Sequence, residues 1–239
     1  MKDLTNKVAL VTGASKGIGY GIAEAFVKAG MRVAVTSRSQ EAADEAAARL
    51  NEIKKGAAIG LEADVRDYAA QVESVTQTLE KFGQLDVLIA NAGIGHFAPI
   101  SELSTKQWQE TIDINLTGVF NSIKAAEEAL EDSKGYFISI ASLAGTNFFA
   151  GGAAYNASKF GLVGFTQAVM LDVRDKGIKV TTIMPGSVAT HFNGHTPDKQ
   201  DKWKIQPEDI GQLTVDLLKM PARTLPSKVE VRPSQPPKK

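Results

Sequence analysis

Short apolar runs alternate along this chain with longer segments whose apolar residues recur at helical spacing, and this alternation is the strongest constraint on the fold. Short apolar runs are typical of strands buried on both faces, and the intervening segments predict crossover helices. We therefore expect a single α/β domain over residues 1–239, with about seven parallel strands and helices on both faces of the sheet. The predicted strands are Val8–Val11, Arg32–Thr36, Ala57–Ala63, Leu85–Ala90, Tyr136–Ser142, Ile178–Met184 and Lys228–Val231.

The composition excludes several classes of function. The 27 Lys and Arg residues balance 27 Asp and Glu residues, which argues against nucleic acid or an acidic membrane as a partner. The chain has no cysteine, so disulfides, thiolate nucleophiles and cysteine-ligated zinc are excluded, and its three histidines are scattered. No apolar stretch reaches the roughly 18 residues of a membrane span. We expect a soluble cytoplasmic protein that binds no nucleic acid, membrane or metal.

The segment 226–239 differs in composition from the rest of the chain. It includes the last short predicted strand and then a proline-rich tail that ends Pro-Pro-Lys-Lys. Terminal segments of this kind are disordered unless another surface holds them. The tail is expected either to be disordered or to dock on a neighbour.

A glycine-rich turn, Thr-Gly-Ala-Ser-Lys-Gly-Ile-Gly at residues 12–19, joins the first predicted strand to a helix. Backbone amides at such a turn, with the partial positive charge of the helix N-terminus, can hold a pyrophosphate. The glycine spacing is G-x-x-x-G-x-G rather than G-x-G-x-x-G. Taken alone, the turn is compatible with a dinucleotide site in a Rossmann-type doubly wound sheet or with a simple tight turn.

The end of the second predicted strand bears on the choice of dinucleotide. Sites that prefer NAD place an acid there to accept a hydrogen bond from the ribose 2′-hydroxyl, but in this chain the first acid after that strand is Glu41. Arg38 instead offers a planar fork for a 2′-phosphate, and Lys16 in the glycine turn adds a second positive charge. These residues favour NADP(H); the alternative is that both are solvated surface cations.

Further motifs follow in order at the predicted strand ends and on the helices. They are Asn-Ala-Gly at residues 91–93, Asn115, Ser142, and Tyr155 with Lys159. Together with the glycine turn, this ordered set resembles the short-chain dehydrogenase/reductase family over nearly the whole chain. The resemblance implies a Rossmann-type fold and an oxidoreductase of the NADP-dependent carbonyl or 3-oxoacyl reductase type.

The resemblance also implies catalytic roles for Asn115, Ser142, Tyr155 and Lys159. Tyr155 would act as general acid/base, Ser142 would donate to the substrate oxygen, and Asn115 would hold a water that links Lys159 to solvent. Residues four apart share a helix face, so the Lys159 ammonium can lie below the Tyr155 phenol. One cation at about 4 Å supplies on the order of 4 kcal/mol at an effective dielectric near 20, so we expect Lys159 to lower the Tyr155 pKa.

Cofactor contacts are assigned partly by position and partly by resemblance. The resemblance places Asp64 and Val65 beside the adenine, although Asp64 is also suited to cap the next helix, and it places the segment ending at Thr190 beside the nicotinamide. The predicted cofactor-binding residues are Gly13, Ser15, Lys16, Gly17, Ile18, Gly19, Arg38, Asp64, Val65, Asn91, Ala92, Gly93, Tyr155, Lys159, Pro185, Gly186, Val188 and Thr190.

Many family members insert a helical lid after the threonine that corresponds to Thr190. Here only 191–206 separates Thr190 from the next predicted helix start at Pro207, so we expect a more open cleft. His191 and His195 lie in this segment, where they either touch substrate or are solvated.

The expected activity is NADPH-dependent reduction of a small-molecule ketone or aldehyde to an alcohol. Two alternatives remain open: a 3-oxoacyl-[acyl-carrier-protein] reductase of fatty-acid synthesis, and a catalytically idle NADP-binding sensor module. The segment 160–171 is apolar nearly all round, which predicts burial on two sides. We therefore expect a homodimer or homotetramer formed through the helices that carry Asn115 and Tyr155.

Overall fold

The computed structural model describes Met1 and residues 3–236, which form one seven-stranded sheet. All neighbouring strands pair in parallel, in the order β3-β2-β1-β4-β5-β6-β7. The predicted doubly wound fold with seven parallel strands is confirmed, and the observed strand ends differ from the predicted ones by a residue or two. The strands are β1 (Val8–Val11), β2 (Arg32–Ser37), β3 (Ala58–Glu62), β4 (Val87–Ala90), β5 (Tyr136–Ile140), β6 (Lys179–Pro185) and β7 (Lys228–Val231).

Helices connect the strands and cover both faces of the sheet. A π-helical segment, Asp113–Thr117, joins the fourth helix to the fifth without a break. Side-chain caps mark several helix starts, as expected where serine or aspartate precedes an apolar periodic segment: Ser39 caps the second helix and Asp67 the third. The helices are α1 (Gly17–Lys28), α2 (Gln40–Ile53), α3 (Tyr68–Phe82), α4 (Thr105–Ile112), α5 (Gly118–Ser133), α6 (Ala153–Val173) and α7 (Pro207–Lys219).

The hydrophobic core is divided into two layers by the sheet. Successive side chains of a strand point to opposite faces, so Val11 contributes to one layer and Leu10 to the other. The first layer packs the strands against α1, α2 and α7, with Phe26 fully buried. The second packs them against α3, α5 and α6, with Phe137 and Leu162 fully buried. Burial on both faces explains why the central strands β1 and β4 are apolar throughout, whereas β7 at the sheet edge exposes Lys228 and Glu230.

The strand order creates the crevice that positions the site. The chain leaves β1 toward β2 on one side, whereas β4 lies on the other side of β1, so the connections after β1 and β4 run in opposite directions. Ligands of open α/β sheets bind at the carboxyl ends of the strands at such a switch point. The glycine turn after β1 and the Asn-Ala-Gly segment after β4 face each other there.

The segment after β6 is short, as the sequence predicts. It contains two 3₁₀ turns, Phe192–Gly194 and Lys199–Trp203, and α7 begins at Pro207. The tail leaves β7 at Arg232; the part of it beyond residue 236 lies outside the described residues. Among the helices that the structure describes, none is long and apolar enough to cross a lipid bilayer.

Candidate active site

A cavity of about 810 Å³ lies at the carboxyl ends of the strands, where loops from β1, β4, β5 and β6 converge. Residues that are far apart in the sequence line it together. The two predicted site residues outside this lining, Gly19 and Asn115, lie against residues that belong to it. The predicted residues in the lining are Gly13, Ser15, Lys16, Gly17, Ile18, Arg38, Asp64, Val65, Asn91, Ala92, Gly93, Ser142, Tyr155, Lys159, Pro185, Gly186, Val188 and Thr190.

The glycine turn is built for close backbone approach. Gly13 adopts φ +62°, a left-handed conformation that a side chain would strain, and a Cβ there would lie 2.8 Å from the Ala92 Cα. Asn91 ties the two loops together, because its side-chain amide donates to the carbonyls of Thr12 (2.9 Å) and Gly13 (3.0 Å). Asn91 therefore holds the shape of the turn.

The N-terminus of α1 opens toward the cavity. Within the described residues, no side chain caps the helix at Lys16, and its first turn has no acidic residue. Free amides and the helix dipole at this end favour an anion. Lys16 and Arg38 are both exposed and line the cavity nearby, so this end carries two positive charges.

Asp64 is held by a neighbour on its own loop. The Arg66 guanidinium donates to both carboxylate oxygens, and the Arg66 backbone amide donates to one of them at 3.0 Å. These hydrogen bonds from Arg66 hold the pKa of Asp64 below its usual value. The alternative expectation, that Asp64 caps the following helix, is wrong, since Asp67 caps α3. Contact with adenine remains a prediction for Asp64 and for Val65, which is buried beside it.

Tyr155, Lys159 and Ser142 meet at the deep end of the cavity. Tyr155 and Lys159 lie one turn apart on α6, and Ser142 follows β5 and caps the short turn Leu143–Gly145 through a bond from the Ala144 amide. The Lys159 Nζ donates to the Ile140 carbonyl at 3.0 Å and lies 5.7 Å from the centre of the Tyr155 ring. The three side chains of the predicted set therefore lie together.

The pKa values of this pair differ from the expectation. Burial raises the pKa of Tyr155, and a side-chain hydrogen bond with Ser142 acts in the opposite direction. Burial lowers the pKa of Lys159 to about 8. The predicted lowering of the Tyr155 pKa by Lys159 is wrong for the protein alone: burial raises this pKa, and the Lys159 ammonium is directed at the Ile140 carbonyl.

Asn115 is fully buried in the π-helical segment. Its amide donates to the Ile94 carbonyl (2.9 Å) and the Ser158 hydroxyl (3.0 Å), and its Oδ1 accepts from the Ile94 amide (2.8 Å). These bonds fix the backbone of the segment that follows the Asn-Ala-Gly motif. The expected role of Asn115 in holding a water remains a prediction.

The segment after β6 forms the remaining wall. The Gly186 amide donates to the Val231 carbonyl at 2.8 Å, and Val188 forms an isolated bridge with Ile205. Thr190 packs beside the glycine turn, since a Cβ on Gly17 would lie 3.5 Å from its side chain. The predicted nicotinamide segment thus adjoins the glycine turn in the cavity wall.

Comparison with known proteins assigns the chain to a family. The family model for short chain dehydrogenases matches residues 7–201. The chain belongs to the short-chain dehydrogenase family. It is 35% identical to an uncharacterized oxidoreductase of Staphylococcus saprophyticus over 98% of this chain and 100% of that protein. It is 40% identical to a 3-oxoacyl-[acyl-carrier-protein] reductase of Synechocystis sp. over 80% of this chain and 77% of that protein.

A solved structure agrees with this assignment. The alcohol dehydrogenase of the archaeon Thermococcus sibiricus, complexed with 5-hydroxy-NADP, superposes with a TM-score of 0.89 at 30% identity, over 98% of this chain and 99% of that one. Short-chain dehydrogenases are oxidoreductases that bind a nicotinamide dinucleotide. The uncapped α1 N-terminus, the left-handed Gly13 and the two cations fit such a group.

Several residues of this short-chain dehydrogenase site were missed by the sequence analysis. Phe97 and Phe192 contact the Tyr155 ring, with ring centres at 5.3 and 5.7 Å. Phe149 contacts Phe97 at 5.8 Å. Each of them follows the carboxyl end of a strand, after β4, β5 or β6. That shared position is the sequence signal by which they could have been found.

The pair His96 and Glu110 was also missed, whereas His191 and His195 were singled out from the sequence. His96 bonds Glu110 at 3.0 Å, and both line the cavity. His195 also lines it and bonds Asp201, which Lys204 contacts at 2.6 Å. His195 is therefore paired with a carboxylate, and His191 lines the cavity as well.

Proposed function

We propose that the protein is an NADPH-dependent carbonyl reductase that converts a small ketone or aldehyde to an alcohol. The observation that carries this proposal is the half-buried Tyr155 side chain, which shares one cavity with Ser142, Lys159 and the glycine turn. Because burial raises its pKa, Tyr155 is protonated at neutral pH. A protonated phenol beside a cofactor site is suited to give its proton to a carbonyl oxygen that is being reduced.

The cofactor would be held by the residues that face the cavity from β1, β4 and β6. Its pyrophosphate would lie against the glycine turn and the N-terminus of α1, where Gly13 permits close approach. Its nicotinamide end would face the segment that ends at Thr190. When bound, the reduced nicotinamide supplies a hydride.

Tyr155 and Ser142 would act on the carbonyl oxygen. As the carbonyl carbon is reduced, its oxygen becomes far more basic than a phenolate, so proton transfer from Tyr155 is favourable. The Ser142 hydroxyl lies within reach of the same oxygen and would donate a hydrogen bond to its developing charge. Tyr155 is then left as a phenolate and must be reprotonated.

Lys159 would support the phenolate and its reprotonation. With a pKa of about 8, Lys159 is largely charged at pH 7 but releases a proton more readily than an exposed lysine. Its positive charge favours the phenolate. Asn115, which orders the adjoining Ile94 backbone, would hold a water through which the proton is replaced.

The preference for NADPH over NADH rests on Lys16 and Arg38. Both are exposed cations that line the end of the cavity below the glycine turn, where a 2′-phosphate would lie. The fork of Arg38 suits bidentate contact with phosphate oxygens. Arg66 bonds Asp64 next to them, so the carboxylate there is already neutralised.

A second candidate is reduction of a 3-oxoacyl thioester on an acyl-carrier protein. It is favoured by the 40% identity to the Synechocystis enzyme of that name. The chemistry at Tyr155 would be the same, and the two candidates differ in the group attached to the carbonyl. A substrate panel separates them.

The proposal is tested by NADPH oxidation with ketones, aldehydes, diketones and a 3-oxoacyl thioester. We expect turnover of free carbonyls, and a loss of about 10²–10⁴-fold in kcat for Tyr155→Phe with NADPH binding largely intact. Tyr68→Phe is the matched control, because Tyr68 is exposed on α3 and lies outside the cavity lining.

Each other outcome has a defined meaning. Preference for the thioester would replace the first candidate by the second. NADPH binding without turnover of any carbonyl would favour an idle sensor module, and full activity of Tyr155→Phe would overturn the role of Tyr155.

A further inference from the structure

Three phenylalanines converge beside the Tyr155 ring, and we name Phe97, Phe149 and Phe192 the phenylalanine wall. The ring centres of Phe97 and Phe192 lie 6.3 Å apart, and each also contacts Tyr155 at a steep interplanar angle, 69° and 55° respectively. Phe149 extends the wall through its contact with Phe97. Aromatic pairs favour such tilted arrangements.

The wall is exposed although it is apolar. Phe97 is 41% exposed, Phe149 47% and Phe192 38%, whereas the core residues Phe26 and Phe137 are fully buried. Leaving three neighbouring aromatic side chains in water costs free energy unless a ligand covers them. Phe192 lines the cavity directly, so the wall continues the surface on which the Tyr155 hydroxyl acts.

The wall is held in place by the backbone. The Ala98 amide donates to the Gly151 carbonyl at 2.9 Å and thus joins the loop of Phe97 to that of Phe149. Gly95 is buried beneath the rings of Phe97 and Phe192: a Cβ on Gly95 would lie 2.7 Å from Phe192 and 2.8 Å from Phe97. The missing side chain at Gly95 is what allows both rings to lie there.

Several ionisable side chains near the wall contact one another. His96 bonds Glu110, and His195 and Lys204 both contact Asp201. A polyhydroxylated substrate gains hydrogen bonds only where such groups remain free to accept or donate. The exposed rings beside Tyr155, more than these polar contacts, favour an apolar group over a polar one.

From these contacts we infer that the phenylalanine wall is the substrate subsite and takes an aryl or comparably large apolar group on the carbonyl carbon. This rests on the proposed function, and it names the substrate class of the same site. Phe97 and Phe192 are its specificity-determining residues. Polyols, sugars and small methyl ketones are poor substrates because they leave the wall uncovered.

The test uses a matched pair of diketones, 1-phenyl-1,2-propanedione and 2,3-butanedione, which differ in a phenyl group against a methyl group. We expect kcat/KM to be at least tenfold higher for the phenyl compound. Phe192→Ala and Phe97→Ala should each raise KM for the phenyl compound about tenfold and raise KM for butanedione by much less, so that the preference for the phenyl compound falls. Phe148→Ala is the control, since Phe148 is 87% exposed and adjoins Phe149 in sequence.

A binding measurement separates this inference from the proposed reaction. Calorimetry with Tyr155→Phe and NADPH should detect the phenyl diketone, with affinity lost in the double variant Tyr155→Phe/Phe192→Ala. Turnover without a phenyl preference would overturn the wall and leave the reductase intact. Phenyl binding without turnover by the native protein would overturn the reductase alone. A change in molecular mass for Phe97→Ala and Phe192→Ala with unaltered KM would identify the wall as a protein interface and overturn the inference.

Discussion

The Nζ atom of Lys159 lies 5.7 Å from the centre of the Tyr155 ring and donates its hydrogen bond to a backbone carbonyl. The lysine is buried, and burial lowers its pKa to about 8. Burial disfavours the charged state of a lysine and so lowers the free energy of unfolding at every pH at which the lysine is protonated. Lys159 therefore has a measurable cost in stability.

Replacing Lys159 with methionine should stabilise the protein at pH 7 by about 1–3 kcal/mol while removing activity. The folded pKa is about 8 and the ordinary value 10.5, so the folded state resists protonation. This cost is fully present below pH 8 and disappears as the pH rises to 10.5. In urea, the free energy of unfolding of Lys159→Met should thus exceed that of the native protein at pH 7, and most of this difference should be gone at pH 10. Lys124→Met is the control: Lys124 lies on an exposed helix face, so its free energy of unfolding should change little at either pH.

Reductase activity should fall as Lys159 loses its charge. We expect kcat/KM to decrease above pH 8, approaching tenfold per pH unit, because the neutral amine no longer favours the Tyr155 phenolate. A pH profile of the native enzyme and of Lys159→Arg checks this. Arginine keeps its charge, so any activity that remains in the variant should not decrease above pH 8. A native kcat/KM that is constant up to pH 9.5 would contradict the role of Lys159.

Lys16→Ala and Arg38→Ala should each raise KM for NADPH about tenfold, with little effect on NADH. Both cations lie at the open end of the cavity, where only a 2′-phosphate would use them. Steady-state kinetics with the two cofactors measures the ratio, and Arg174→Ala, an exposed arginine elsewhere, is the control. If the native enzyme prefers NADH, the assignment of NADP is wrong.

The sequence was sufficient for the architecture because burial on both faces makes the central strands apolar runs, and strands such as Val8–Val11 carry that signal locally. It was sufficient for the positions of Tyr155 and Lys159, since a spacing of four on one helix places both on the same face. Properties that depend on contacts between distant segments were missed.

Two examples show the physical reason. The Tyr155 pKa depends on how much water reaches the hydroxyl, and the rings that exclude it come from loops after other strands. The carboxylate of Asp64 is bound by Arg66. Which of the nearby cations binds this carboxylate depends on the conformation of the loop. Neither quantity is encoded in local periodicity or spacing.

Gly19→Ala should weaken cofactor binding by disturbing the turn. A Cβ at Gly19 would lie 2.5 Å from the Asn91 Nδ2 and 2.8 Å from the Gly13 carbonyl oxygen, so Asn91 must move away from the two carbonyls that it bonds. We expect at least a tenfold rise in the Kd for NADPH, measured by fluorescence titration. Unfolding without cofactor is measured alongside, and a variant with native affinity would show that Asn91 does not hold the turn.

The helices α5 and α6 present apolar side chains that one chain leaves exposed. Phe120 is 47% exposed, Phe160 43% and Leu171 55%, and they belong to the helices that follow Asn115 and carry Tyr155. We propose that a second copy covers this surface, because exposed aromatic clusters of this kind are typical of subunit interfaces.

Light scattering at micromolar concentration should therefore give the mass of a homodimer or homotetramer. The double variant Phe120→Asp/Phe160→Asp places two charges at the proposed contact, and we expect it to have a lower mass, since unpaired charges are costly to bury. Val72→Asp is the matched control: Val72 is 40% exposed on α3, outside this surface, and its variant should keep the native mass. A native protein with the mass of one chain, or an equal loss of mass in both variants, would show that α5 and α6 do not form the interface.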